Sequence, residues 1–99
     1  MDTIESVTIK KMTADDVDKI IAIESEAYGE HHWSKDSFLN EIHNELARYY
    51  TLFTSSGEIA GYAGTWHILD EAHITNIAIS PNYRRRGYGE ALLKRVIDD

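Results

Sequence analysis

Late in the chain an apolar run, Ile74-Thr75-Asn76-Ile77-Ala78-Ile79, passes through Ser80-Pro81-Asn82 into Arg84-Arg85-Arg86-Gly87-Tyr88-Gly89 and on to Glu90-Ala91-Leu92-Leu93. This order predicts a strand, a turn, a basic loop and a helix whose first turn holds Gly87 and Gly89. A helix N-terminus leaves backbone N–H groups without intrahelical partners, and those donors and the dipole together favour an anion such as a pyrophosphate. Glycines let phosphates approach the backbone closely, and the three arginines add charge-assisted bonds. The segment reads as a diphosphate grip. The plainer alternative is a solvated arginine run before a helix that merely begins with glycine. No glycine-lysine-serine/threonine follows, and the pattern is not a G-x-G-x-x-G placed directly after a first parallel strand, so neither ATP nor NAD is indicated.

The surroundings favour the anion reading. The 99 residues carry a formal charge of −7, with 42% hydrophobic and 27% charged residues and one proline, the make-up of a compact domain. An acidic chain whose basic residues are few and clustered is no general nucleic-acid binder. No cysteine is present, which removes disulfides, thiolate catalysis and cysteine-bound zinc within these residues and fits a reducing cytoplasm. Met1 to Glu5 lacks a basic start and an apolar run, so neither a signal peptide nor a membrane span is expected.

Val7 and Ile9 alternate as a short strand. Thr13 starts a helix with Asp16 as its capping acid and with Met12 and Val17 as a hydrophobic staple. Val17, Ile20, Ile21, Ile23 and Tyr28 form its apolar stripe, with Asp15, Asp18, Lys19 and Glu26 outside. Ser34 caps a second helix with the stripe Phe38, Leu39, Ile42 and Leu46, and Trp33 is placed to staple onto Phe38. Tyr49 to Thr54 predicts a strand, Ser55-Ser56-Gly57-Glu58 a turn, and Ile59 to about Leu69 the returning strand. A reversal at Asp70-Glu71 leads into a strand over 72–79. The order is β-α-α-β-β-β-α: an α+β (α/β) chain with a central, mostly antiparallel sheet flanked by helices, forming one domain over residues 1–99. The last helix closes on Asp98-Asp99 at its negative end with no glycine cap, which predicts either a domain that is incomplete at its C-terminus or a genuine end with a frayed last turn.

Asn76-Ile77-Ala78-Ile79 through Glu90-Ala91-Leu92-Leu93 resembles motif A of the GNAT acetyltransferases, in which Q/R-x-x-G-x-G/A follows the fourth strand, and the element order resembles the first two-thirds of that fold. The resemblance implies a domain truncated before its C-terminal strands, with the edge of the strand over 72–79 left bare and able to pair two copies as a homodimer. The resemblance implies acetyl-CoA as co-substrate. Arg84 to Glu90 align with its pyrophosphate loop: Arg84 adds charge, and Arg85, Arg86, Gly87, Tyr88, Gly89 and Glu90 supply the loop itself. Ile77, Ala78 and Ile79 would present main-chain groups to the pantetheine arm and thioester. His32-Trp33-Ser34, Asp70-Glu71-Ala72 and Asn76 to Ile79 look like the ribosomal-protein alanine N-acetyltransferases, although that group usually has proline where His32 stands. His73-Ile74-Thr75 also looks like related archaeal and eukaryotic N-terminal acetyltransferases. The implied acceptor is a protein N-terminus, and the implied general base, a glutamate, and general acid, a tyrosine, fall beyond Asp99.

The remaining candidates each carry a plainer reading. Glu71 and His73 could relay a proton, or be structural. Trp33 and Tyr28 flank the loop that lines the acceptor groove in the family, though an aromatic at a staple position is ordinarily core. Glu24, Glu26 and Glu30 would make the groove mouth acidic, or form a solvated helix face. His31, His32, His43 and His67 show no metal-ligand spacing. Acetylation of a small amine and non-catalytic CoA binding are the competing functions.

Overall fold

The computed structural model describes residues 7–31, 33–84 and 87–98. Arg85, Arg86 and His32 therefore lie outside the described residues. Four strands, β1 (Thr8–Lys11), β2 (Ala47–Phe53), β3 (Ile59–Ile68) and β4 (Glu71–Ile79), form one antiparallel sheet in the order β1-β2-β3-β4. Helices α1 (Val17–Tyr28) and α2 (Lys35–Ile42) lie between β1 and β2 in sequence, and α3 (Tyr88–Asp98) follows β4.

Alternation along the strands sends side chains to two faces, and each face is covered by different helices. Met12, Val17, Ile20, Ile23, Phe38, Tyr49, Tyr62 and Ala78 form the core under α1 and α2. Tyr50, Leu52, Ala60, Ala63, Tyr88, Leu92 and Val96 form the core under α3. Tyr49 and Tyr50 are neighbours in sequence yet belong to opposite cores. Gly64 stands across from Tyr49 on β3, and a Cβ there would fall within the Tyr49 ring. That ring therefore lies flat on the strand because residue 64 has no side chain.

The caps form as the sequence requires. Asp16 accepts a bond from the Thr13 N–H (3.0 Å), in a 3-10 turn, Ala14–Asp16, that leads into α1. Ser34 Oγ accepts from the Ser37 N–H (3.1 Å). Trp33 packs on Phe38 with ring centroids 5.3 Å apart. Three expectations need correction. Leu46 is 54% exposed and lies beyond the end of α2, because the chain has already turned towards β2. The last reversal sits on Leu69-Asp70, since Glu71 already pairs with Ile68. Tyr28 is not core: it is 42% exposed at the end of α1.

Candidate functional site

The site forms where β4 ends and α3 begins. Ser80 N–H donates to the Ala60 carbonyl (2.7 Å), while Ala78 and Asn76 stand opposite Tyr62 and Gly64. Residues 76, 78 and 80 thus turn their backbone groups towards β3, and Ile77 and Ile79 turn theirs outward. Tyr28 Oη donates to the Ile77 carbonyl (2.8 Å), and Arg84 Nε donates to the Ile79 carbonyl (3.1 Å). Two outward carbonyls are therefore held from within the chain, and the N–H groups of the same two residues point the same way. Of the three residues expected to offer main-chain groups, Ile77 and Ile79 face this edge, whereas Ala78 is buried and faces inward.

Gly87 has φ of +79°, which reverses the chain into α3, and the Ala91 N–H donates to its carbonyl (3.1 Å). The N–H groups of Gly89 and Glu90, in the first turn, lie too near the helix start for an intrahelical acceptor. Among the described residues a Cβ on Gly89 would meet only Ile79 Cγ1, at 3.9 Å, so none of them requires glycine there. The corner between Ile79 and Gly89 is open among the described residues and bordered by exposed Arg84. Tyr88 contributes its backbone to this corner, while its ring is buried in the core and packs against Tyr83 (6.4 Å). Glu90 is exposed in the first turn.

Beneath β4, on the α1 face, lies a polar network that the sequence reading missed. Glu24, assigned there to the groove mouth or a solvated face, is 1% exposed. Its Oε1 accepts bonds from the Tyr62 hydroxyl and from Asn76 Nδ2 (3.3 Å), and its Oε2 accepts from the Trp33 N–H (2.6 Å). Thr75 Oγ1 donates to Asn76 Oδ1 (3.0 Å) and shares a bond with Tyr49 Oη (2.6 Å). One carboxylate thus joins α1, the start of α2, β3 and β4. Glu26 and Glu30 are exposed as expected. The signal available in the sequence was position: Glu24 lies one residue past Ile23 and four past Ile20, on the buried stripe.

Burial, and then the neighbouring Glu24, hold the Tyr62 phenol well above its ordinary value of 10, and burial does the same for Tyr49 against the opposing bond from Thr75. A raised folded-state pKa means that this stabilisation is complete below about pH 10 and is lost as pH climbs beyond it. The urea midpoint should therefore fall above pH 10, less steeply in Tyr62→Phe. A midpoint that stays level there, or falls equally in the variant, contradicts the assignment.

Trp33 is part-buried, with its ring 5.3 Å from Phe38 and 6.1 Å from Tyr49. Glu71 and His73 bond each other (3.0 Å) in the open, at the far end of β4 from Gly89. A shallow depression of about 260 Å³, lined in part by Met12, Ile42, Asn44, Ala47 and Arg48, involves neither β4 nor α3.

With this geometry in place, comparison with known proteins identifies the class. The sequence profile of the acetyltransferase (GNAT) family matches residues 15–99, and the chain belongs to that family. It is 37% identical over 93 residues to the [ribosomal protein bS18]-alanine N-acetyltransferase of Escherichia coli (strain K12), covering 93% of this chain and 60% of that one. The crystal structure of the ribosomal-protein-S18-alanine N-acetyltransferase from Escherichia coli superposes with a TM-score of 0.79 at 34% identity, covering 94% of this chain and 58% of that one. An N-acetyltransferase from Thermoplasma acidophilum in complex with coenzyme A shares the fold (TM-score 0.80, 19% identity, 94% and 70% covered). The chain spans about three fifths of the length of the curated relatives it matches.

Proposed function

We propose that the protein transfers an acetyl group from acetyl-CoA to a primary amine, the α-amino group of a protein N-terminus, with an alanine-starting ribosomal protein as acceptor. The observation that carries this reading is the open corner at Gly89, beside a strand edge whose Ile77 and Ile79 N–H groups face the same space. A diphosphate would take the N–H groups of Gly89 and Glu90 in the first turn of α3, with Arg84, Arg85 and Arg86 adding positive charge. The pantetheine amides would then offer carbonyls to Ile77 and Ile79, which lie about 7 Å apart as alternate residues of a strand. Acetyl-CoA supplies an electrophilic thioester: the amine nitrogen attacks its carbonyl carbon, the carbon–sulfur bond breaks, and the amine's proton ends on the thiol. The chain's own residues bind and orient that thioester. Tyr28, at the end of α1, and Trp33, on the loop that follows, would flank the acceptor groove, with the Tyr28 hydroxyl on the Ile77 carbonyl. No helix among the described residues is long and apolar enough to cross a membrane, and an acceptor of this kind places the reaction in the cytoplasm.

A thiol-release assay with acetyl-CoA separates the readings. An alanine-starting peptide should be preferred over a polyamine or an aminoglycoside by at least about tenfold in kcat/KM, a modest share of what a polar recognition site can discriminate. Preference for the small amine would move the protein to another branch of the family. CoA binding with no thiol release on any amine would make it a binding module.

A further inference from the structure

The β3–β4 hairpin carries a feature that neither the fold nor the cofactor corner uses. Leu69 opens its two-residue turn at φ +56° and is 97% exposed. That conformation suits glycine or asparagine in hairpin turns, and a leucine there adds backbone strain and bare apolar surface with no packing in return among the described residues. Trp66 and Ile68 are two residues apart and so share a face of the strand; they are 37% and 41% exposed. The Trp66 indole is already fixed, since its Nε1 donates to Glu41 Oε2 (2.6 Å). Asp70 and Glu71 complete an acidic surround, with His73 bonded to Glu71.

We propose that Trp66, Ile68 and Leu69, with Glu41, Asp70 and Glu71 around them, dock the body of a cationic protein acceptor, apart from the groove that takes its N-terminus. This rests on the amine-acetylation reading, and two arguments select the occupant. The first is charge: a chain of net charge −7 with acids around an apolar tip complements a basic protein, and proteins that neutralise RNA phosphates are basic. The second is position. If the diphosphate sits at Gly87 to Gly89 and its arm runs along Ile79 and Ile77, the acyl end points up β4 towards the hairpin tip. The arm fills the opposite approach, so the acceptor enters from the tip side, over the face that α1 and α2 cover and that Trp66 shares. Asn76 and Glu71 are separated by roughly 17 Å of strand. An acceptor of four residues spans at most about 14 Å and cannot reach the tip, whereas a whole protein can.

The test is the double variant Ile68→Thr, Leu69→Asn in the whole protein. Asparagine tolerates the left-handed backbone of residue 69, so the melting temperature should hold or rise. Against whole ribosomal protein bS18, kcat/KM should fall by about tenfold or more, as expected for loss of apolar anchors from a docking patch. Against a four-residue alanine-starting peptide, and in CoA affinity, the variant should match the wild type. Asp70→Asn with Glu71→Gln should weaken the salt dependence of the whole-protein reaction alone. Parallel losses on both acceptors, or no loss on either, overturn the proposal. If the wild type acetylates neither acceptor, the amine-transfer reading fails. Direct binding of bS18 to wild type and variant then decides the docking surface by itself: weaker binding by the variant upholds it, and equal binding or none overturns it.

Discussion

Gly89→Leu in the whole protein should lose CoA affinity by about 100-fold or more, equivalent to roughly 2.7 kcal/mol, without losing thermal stability. The two halves of this expectation have separate causes. Among the described residues an added Cβ at Gly89 meets only Ile79 Cγ1, at 3.9 Å, so they leave room for a side chain. Replacing glycine near a helix start with leucine also reduces the entropy of the unfolded chain and raises helix propensity. The ligand has no such room, because a phosphate bonded to the Gly89 N–H needs the volume that the leucine would fill. Gly87 is the weaker test. Its φ of +79° strains any L side chain, so Gly87→Leu combines lost binding with a folding cost of about 1–2 kcal/mol. Calorimetric titration with CoA alongside thermal melts measures both halves. Unchanged affinity in Gly89→Leu refutes the site, and a lower melting temperature refutes the claim that the corner is open.

The strand, turn and helix start around the glycine and arginine loop were legible in the sequence because they are local. A strand, a proline turn and a helix start lie within about twenty consecutive residues, and backbone donors at a helix N-terminus require no distant partner. Ser34 and Thr13 were legible for the same reason, as capping is settled within four residues. What escaped depends on contacts between distant segments. Glu24 sits one position from Ile23 and could be read as a polar residue at the margin of a helix stripe. Its partners Tyr62 and Asn76 are 38 and 52 residues away, and no periodicity in α1 announces them. The inward aspect of Ala78 likewise depends on the pairing of β4 with β3. Leu69 escaped because turn residues are recognised by glycine and asparagine, and leucine at a left-handed position violates the rule by which the turn would have been placed. Arg85 and Arg86, the most basic part of the predicted grip, lie outside the described residues.

Glu24→Ala should be the most damaging single change to stability. The carboxylate is 1% exposed and accepts from three donors on three segments: the Tyr62 hydroxyl, Asn76 Nδ2 and the Trp33 N–H. Truncation strands all three donors in a site with little water. Each unsatisfied buried donor costs about 1–3 kcal/mol, so stranding three of them costs at least about 3 kcal/mol. A domain of this size has only about 5–15 kcal/mol in total. A loss near 3 kcal/mol corresponds to a fall of roughly 15 °C in melting temperature. Glu24→Gln separates shape from charge. The amide keeps one acceptor oxygen for Tyr62 and Asn76, but its nitrogen cannot accept from Trp33, so the loss should be about half as large. Trp33 then reports where the network gives way. With Trp66→Phe as background, its emission should shift to longer wavelength in Glu24→Gln as the loop after α1 loosens from Phe38 and Tyr49. Equal melting temperatures for Glu24→Ala and wild type would show that this carboxylate does not hold α1, α2 and β4 together. A Trp33 emission unmoved by Glu24→Gln would show that the bond to its N–H does not seat the loop.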